Sequence, residues 1–204
     1  LVFDGFMWEP AYKFTNRDTE NTMIISVNGV AKLYGMTGFR IGWAIANRKL
    51  IEVMRNVQAQ TTSCASVVLQ AAAERALNGL QSIVENLRLG FENNRNVIVQ
   101  ELRAFNGVKL NPPQGTFYAL PDFRAYIPSN LAKDSVELSR LILKKAMVVT
   151  VPGKEFGMEG HLRLSFAGSV KDITEGIERI KWVLDPLSPN EIYIGDRKLI
   201  RDWL

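Results

Sequence analysis

Three side chains in this 204-residue chain are of a type and in a setting that invite chemistry. Lys32 follows a short apolar run, in the stretch Val30-Ala31-Lys32-Leu33. A lysine amine acts as nucleophile or acid–base group where confinement favours its neutral form. Most lysines are solvated surface residues, and the local context alone favours that plainer reading. Arg40 opens the apolar stretch IGWAIA after Thr37 and Gly38. Its rigid fork of donors suits a phosphate, although a strand-end arginine at the surface fits the local pattern as well. Arg163 sits in the middle of HLRLSF. Alternation there puts His161, Arg163 and Ser165 on one face and Leu162, Leu164 and Phe166 on the other. A charge in mid-strand points to a cleft for an anion, and a carboxylate is the natural bidentate partner. A plain exposed sheet face weighs as much.

Other candidates weigh less. His161 reads as an ordinary polar-face residue, and with no second histidine any Ser-His-Asp chemistry would hang on it alone. Cys64, in TTSCASVV, reads as a buried small residue rather than a nucleophile. One cysteine and one histidine do not supply a usual structural zinc site, so no metal is expected. The glycines of GMTG match neither a dinucleotide fingerprint nor a P-loop.

The elements that must position these residues follow from periodicity. Met23–Val27 (MIISV) reads as a buried strand ending in an Asn28-Gly29 turn, and Arg40–Ala46 as a second strand. From Arg48 to Phe105 the pattern is helical. Leu80, Ile83, Val84, Leu87, Phe91, Ile98, Leu102 and Phe105 form the apolar stripe of one long helix or two nearly collinear ones. VKLNPPQGTFYAL predicts two strand-like pieces around a turn. Asp134 with Glu137 opens a helix, with Val136, Leu138, Leu141, Ile142 and Met147 on its apolar face. Val148–Val151 and His161–Phe166 read as strands, and Ser169 caps a last helix through Ile173, Ile177, Ile180 and Leu184. The alternation from Val108 to Leu184 predicts an α/β unit. The tail Asp185–Leu204 has no assignment.

Composition narrows the function classes. Apolar residues make up 47% and charged residues 23%, the balance of a folded globular chain. No apolar run reaches the length of a membrane span. The 25 basic and 21 acidic residues leave +4, with the basic residues at most in pairs, so neither nucleic acid nor a membrane is an expected partner. The lone cysteine implies no oxidising compartment, and Leu1–Pro10 has no signal-peptide character. The opening LVFDG reads as the end of a strand whose beginning is missing.

Taken together, SVNGVAKLYGMTGFRIGWA resembles the cofactor-lysine segment of the class I/II (fold type I) pyridoxal-phosphate-dependent aminotransferases. It is closest to the aspartate and aromatic branch, which carries Asn-Gly-x-Ala-Lys and then Met-Thr-Gly-aromatic-Arg-Ile-Gly. PPQGTFYALPDF is similar to that family's small-domain entry, and VTVPGKEFG with GHLRLSFAGS to its carboxylate-arginine segment. The resemblance covers residues 1–184 or so. It implies that Lys32 binds pyridoxal 5′-phosphate as a Schiff base and then moves a proton between the substrate Cα and the cofactor C4′. It implies that Arg40 clamps the cofactor phosphate and Arg163 the substrate α-carboxylate. Gly29 departs from the many relatives with Ser or Thr at that position, which leaves one phosphate donor unassigned.

The implied fold is α/β, the C-terminal part of a fold type I transferase. Residues 1–79 would end the large, mostly parallel domain. Residues 80–184 would be the interdomain helix and small α/β domain, and 185–204 a tail. The implied activity is amino-group transfer between an amino acid and a 2-oxo acid, in a cytoplasmic homodimer serving amino-acid biosynthesis. Such enzymes are about twice this length. Their first half carries the aspartate that keeps the pyridine nitrogen protonated, and Asp4 lies beyond the strand where it belongs. The chain alone is therefore expected to be weakly active or inactive. A β-lyase or a cyclopropane-carboxylate-synthase-like enzyme would share all three residues, and a truncated non-catalytic module is the third reading.

Overall fold

β-Branched residues and two close-packed glycines set the first ladder. The computed structural model describes residues 1–15 and 18–203. Strand β1 (Ser26–Gly29) pairs antiparallel with β2 (Gly42–Ile45), from Ser26↔Ile45 to Gly29↔Gly42. A Cβ on Gly29 would lie 2.9 Å from the Ile41 carbonyl oxygen, and one on Gly42 3.0 Å from that of Asn28. The two backbones thus approach too closely for side chains, and the ladder closes the neck of loop 30–41.

The strand expected over Met23–Val27 is displaced and is not buried. It begins at Ser26, with Met23 94% and Val27 77% exposed. The cause is local: a two-stranded ribbon leaves at least one face without a covering layer. At the start of the chain, the Asp-Gly pair makes the expected turn, with Asp4 at φ 56° and Gly5 at φ 70°.

The helical stretch resolves into three helices: α1 (Arg48–Thr61), α2 (Val67–Asn78) and α3 (Ser82–Leu102). Asn47 caps α1, its side-chain oxygen accepting from Leu50 N at 3.0 Å. Ser63 in the left-handed region (φ 63°) follows α1 and turns the chain. Cys64 lies in this turn and is exposed, which corrects the expectation of a buried residue. It lines an open cleft with residues of α1 and α2 instead of sitting inside a packed layer. The apolar stripe from Ile83 to Leu102 lies on α3, with Leu80 before the helix and Phe105 beyond it, and its start is uncovered: Leu80 is 83% and Ile83 72% exposed. Burial begins further along, at Ile98, Val99 and Leu102.

The chain divides into two compact units, Leu1–Arg88 and Leu89–Leu204, with the boundary inside α3. The second unit holds a three-stranded sheet in the order β3-β5-β4, made of β3 (Tyr118–Ala119), β4 (Val151–Pro152) and β5 (Leu162–Ser165). Helix α4 (Ser135–Ala146) starts on Asp134, which accepts from Glu137 N at 2.8 Å. Glu137 reaches back to Lys133 N at 3.0 Å rather than to Asp134 N, so the expected reciprocal box is shifted by one residue. Helix α5 (Val170–Leu184) has the full capping box, Ser169 with Asp172. Leu138, Ile142, Ile177, Ile180, Leu162, Leu164 and Phe166 are among the residues forming its core.

The unassigned tail folds as a hairpin of β6 (Glu191–Ile194) and β7 (Arg197–Ile200). Arg201 then donates to the carbonyls of Trp182, Asp185 (2.7 Å) and Ser188 (3.1 Å) at the end of α5. Those acceptors would otherwise have no intrahelical partner. The architecture is mixed α/β, as expected. Every ladder among the described strands is antiparallel. For β1 and β2 the reason is the connection, which lacks the crossover helix that a parallel pair requires.

Candidate active site

The first unit positions Lys32 and Arg40 on one loop. Buried Val30 anchors its start. Tyr34 N then donates to Val30 O and Gly35 N to Lys32 O, each at 3.3 Å, and Gly35 takes φ 66°. This tight turn holds Lys32 outward while Val30 stays inside. The Lys32 side chain is exposed. A short 3₁₀ turn, Thr37–Phe39, follows. Arg40 ends it in the left-handed region (φ 56°, ψ 39°), an uncommon conformation for a residue other than glycine, asparagine or aspartate. Its Nη1 donates to Thr37 O at 3.1 Å. That bond orients the guanidinium and uses one donor of the fork.

Two residues that sequence reasoning passed over support this loop. Tyr34 OH donates to Gln81 Oε1 at 2.9 Å. The Gln81 amide donates in turn to Ala76 O, Leu77 O and Gly79 O at the end of α2. The lysine turn is thereby tied to a helix terminus. No local signal marks Gln81, because its partner lies 47 residues away. The neck glycines also give Gly29 a steric reason. A serine or threonine there would meet the Ile41 carbonyl, so the hydroxyl seen in many relatives has no room.

Arg163 belongs to the second unit, on β5 opposite Val151. The expected alternation holds: Leu162 and Leu164 are buried, whereas Arg163 is half-buried on the other face. Its guanidinium carbon lies 4.4 Å from the Tyr118 ring centroid and 4.7 Å from that of Phe156. The sequence singled out neither aromatic. His161, on the same face, sets its Nδ1 against Glu159 O at 3.2 Å. It lines a cleft of about 490 Å³ with Tyr118, Lys109, Asp122 and Arg124. There Arg124 grips Asp122 through three contacts of 2.6–3.0 Å. The charge-assisted bonds from Arg124 hold the Asp122 carboxyl at about 2, below its ordinary 3.8. A cleft carboxylate is thus neutralised by its neighbour.

The first unit thus carries an amine and a guanidinium on one loop, and the second a guanidinium on the open face of a sheet. The chain is 42% identical to an aspartate aminotransferase of Streptomyces avermitilis, over 78% of this chain and 40% of that protein. It is 37% identical to an aspartate aminotransferase of Rhizobium meliloti, over 92% of this chain and 47% of that one. It thus spans somewhat under half the length of these curated relatives. The crystal structure of an aspartate aminotransferase from Rhizobium meliloti superimposes with a TM-score of 0.85 at 35% identity, covering 92% of this chain and 48% of that one. An aromatic aminotransferase from Pyrococcus horikoshii gives 0.80 at 31%, covering 90% and 48%. These neighbours have the fold type I architecture. Residues 1–180 match the family described as aminotransferase class I and II, whose members use pyridoxal phosphate, and the chain belongs to that family.

Proposed function

We propose that this chain carries the lysine-bearing part of an enzyme that transfers an amino group between an amino acid and a 2-oxo acid. The observation that carries it is loop 30–41. It holds Lys32 and Arg40 together behind a glycine neck, within the family-matched residues. The residues fit pyridoxal phosphate, because one amine and one guanidinium on a single loop match the aldehyde and the phosphate of one molecule. When bound, that group supplies the carbonyl for the amino group and a conjugated ring that takes up the electrons freed at Cα.

This chain's side chains do the rest. Lys32 Nζ would hold the cofactor carbonyl, and its free amine would carry a proton away from the substrate Cα. Arg40 holds the phosphate through the N–H groups that Thr37 does not use. Arg163 would hold the α-carboxylate of the substrate. The relatives named above include two aspartate aminotransferases, so aspartate is the amino donor to try first.

The same reading makes the working enzyme a homodimer in the cytoplasm, serving amino-acid biosynthesis. Exposed Val53 and Val57 on α1 and Val67 and Val68 on α2 support an apolar contact surface, and a lone cysteine suits a reducing compartment. Borohydride reduction of the chain with pyridoxal phosphate, followed by peptide mass mapping, tests the central assignment. The pyridoxyl mass should fall on the peptide containing Lys32 and vanish in Lys32→Ala. Equal labelling of other lysines, unchanged by that substitution, would sink it.

A further inference from the structure

Arg163 is held by aromatic rings. Its guanidinium carbon lies 4.4 Å from the Tyr118 ring centroid and 4.7 Å from that of Phe156. Among the described residues, no carboxylate, carbonyl or hydroxyl accepts from any of its N–H groups. This is unlike the chain's other well-placed arginines. Arg124 spends its donors on Asp122, Arg88 on Glu85, and Arg201 on backbone carbonyls. A half-buried guanidinium with no protein acceptor keeps its N–H groups available to an anionic ligand.

The two rings come from different elements. Tyr118 is on β3, paired with Ser165 in the ladder to β5. Phe156 closes the 3₁₀ turn Gly153–Phe156 that follows β4. The turn itself is fixed by backbone: Gly153 N donates to His161 O at 2.7 Å and Met158 N to Gly153 O at 2.9 Å. Gly153 has no room for a side chain, since a Cβ would sit 2.2 Å from Met158 O. The Phe156 ring is therefore aimed by the strand next to Arg163, and the Tyr118 ring by the strand on the other side.

We infer that Tyr118 and Phe156 are positioning residues. They clamp the Arg163 guanidinium so that its N–H groups stay open for a carboxylate. The rings attract the cation through their π-electron density and stop rotation about the side-chain bonds. They offer no acceptor in the guanidinium plane that would compete with the ligand. The inference rests on the reading of Arg163 as the carboxylate site. What it adds is that the affinity of that site depends on two residues that do not bond to the ligand.

The test follows the Arg163 Nε–Hε resonance of the whole chain by NMR, assigned by its loss in Arg163→Lys, with succinate as the probe. The resonance should be shifted upfield by the ring currents and should move on titration. In Phe156→Leu the shift should collapse and succinate binding weaken about threefold to tenfold. Tyr118→Leu should do the same, while Phe156→Tyr and Tyr118→Phe should restore both. An unchanged amide spectrum elsewhere shows that the variants fold. If succinate binding depends on Arg163 yet both leucine variants keep the shift and the affinity, the clamp is wrong. If Arg163→Lys binds succinate as well as the native chain, the carboxylate reading of Arg163 fails instead, whatever the ring-current shift shows.

Discussion

The two units present their candidate cations by different physics. In Leu1–Arg88, among the described residues, Phe3, Val30, Ala46 and Ala73 are the buried apolar side chains, and two of these are alanines. Loop 30–41 is shaped mainly by backbone: a short ladder, two touching glycines, a tight turn and a left-handed residue. In Leu89–Leu204, Arg163 lies on a strand whose other face, Leu162 and Leu164, is buried. The lysine loop gains its geometry without a deep core, and the arginine strand gains its geometry from one. Backbone geometry of the first kind opens at low free energy, whereas a packed core opens only with the whole unit.

The largest effect expected from this contrast is on core truncation. Leu138→Ala, at a site with no exposure, should cost the second unit about 2–5 kcal/mol in a urea melt. Hydrogen exchange on the same sample should show β1 and β2 amides exchanging well before those of β5 and α5. Equal protection in the two sets would break the comparison. Arg201→Ala should be next, at about 1–3 kcal/mol, because it strips the hydrogen bonds from carbonyls at the end of α5. Its effect should appear in α5 and the β6–β7 hairpin and leave loop 30–41 untouched. Ser169→Ala should cost about 1 kcal/mol through the lost cap.

Acid should separate the units as well. Asp122 is held at about 2 when folded, against an ordinary 3.8, chiefly by the side-chain hydrogen bonds from Arg124. A carboxyl with a lowered folded value stabilises the fold above the ordinary value and loses that contribution as pH falls through the folded one. The second unit should therefore weaken between about pH 4 and pH 2. Asp122→Asn should flatten that acid limb, read by circular dichroism at fixed urea. The smallest effect belongs to Val57→Ala on α1. That side chain is 58% exposed, and its loss should change stability by no more than about 0.5 kcal/mol.

Much of this was legible in residue order. Alternation in HLRLSF placed Arg163 on the open face of its strand, and Ser169 marked the start of α5. Glycines at 29 and 42 were visible, but their contact was not, because it depends on strand register. The buried strand expected at MIISV failed because apolar type reports what a residue can do, while burial depends on what lies against it. Cys64 failed for the same reason. The tail was opaque because its hairpin is fixed by Arg201 reaching the end of α5, 16 to 19 residues away.

By itself the sequence determined the local and the periodic: which face of β5 and α5 is apolar, and where α4 and α5 begin; it also singled out Lys32, Arg40 and Arg163 as the side chains to propose. The tertiary structure decided how those side chains are held. It closed the lysine loop at a neck of touching glycines, tied Tyr34 to Gln81, and set Arg163 against one ring from β3 and one from the turn after β4. Periodicity is a property of one element and can be read from it. Steric contact and cation–π stacking arise between elements, and they exist only once register and packing have brought distant residues within a few ångströms of each other.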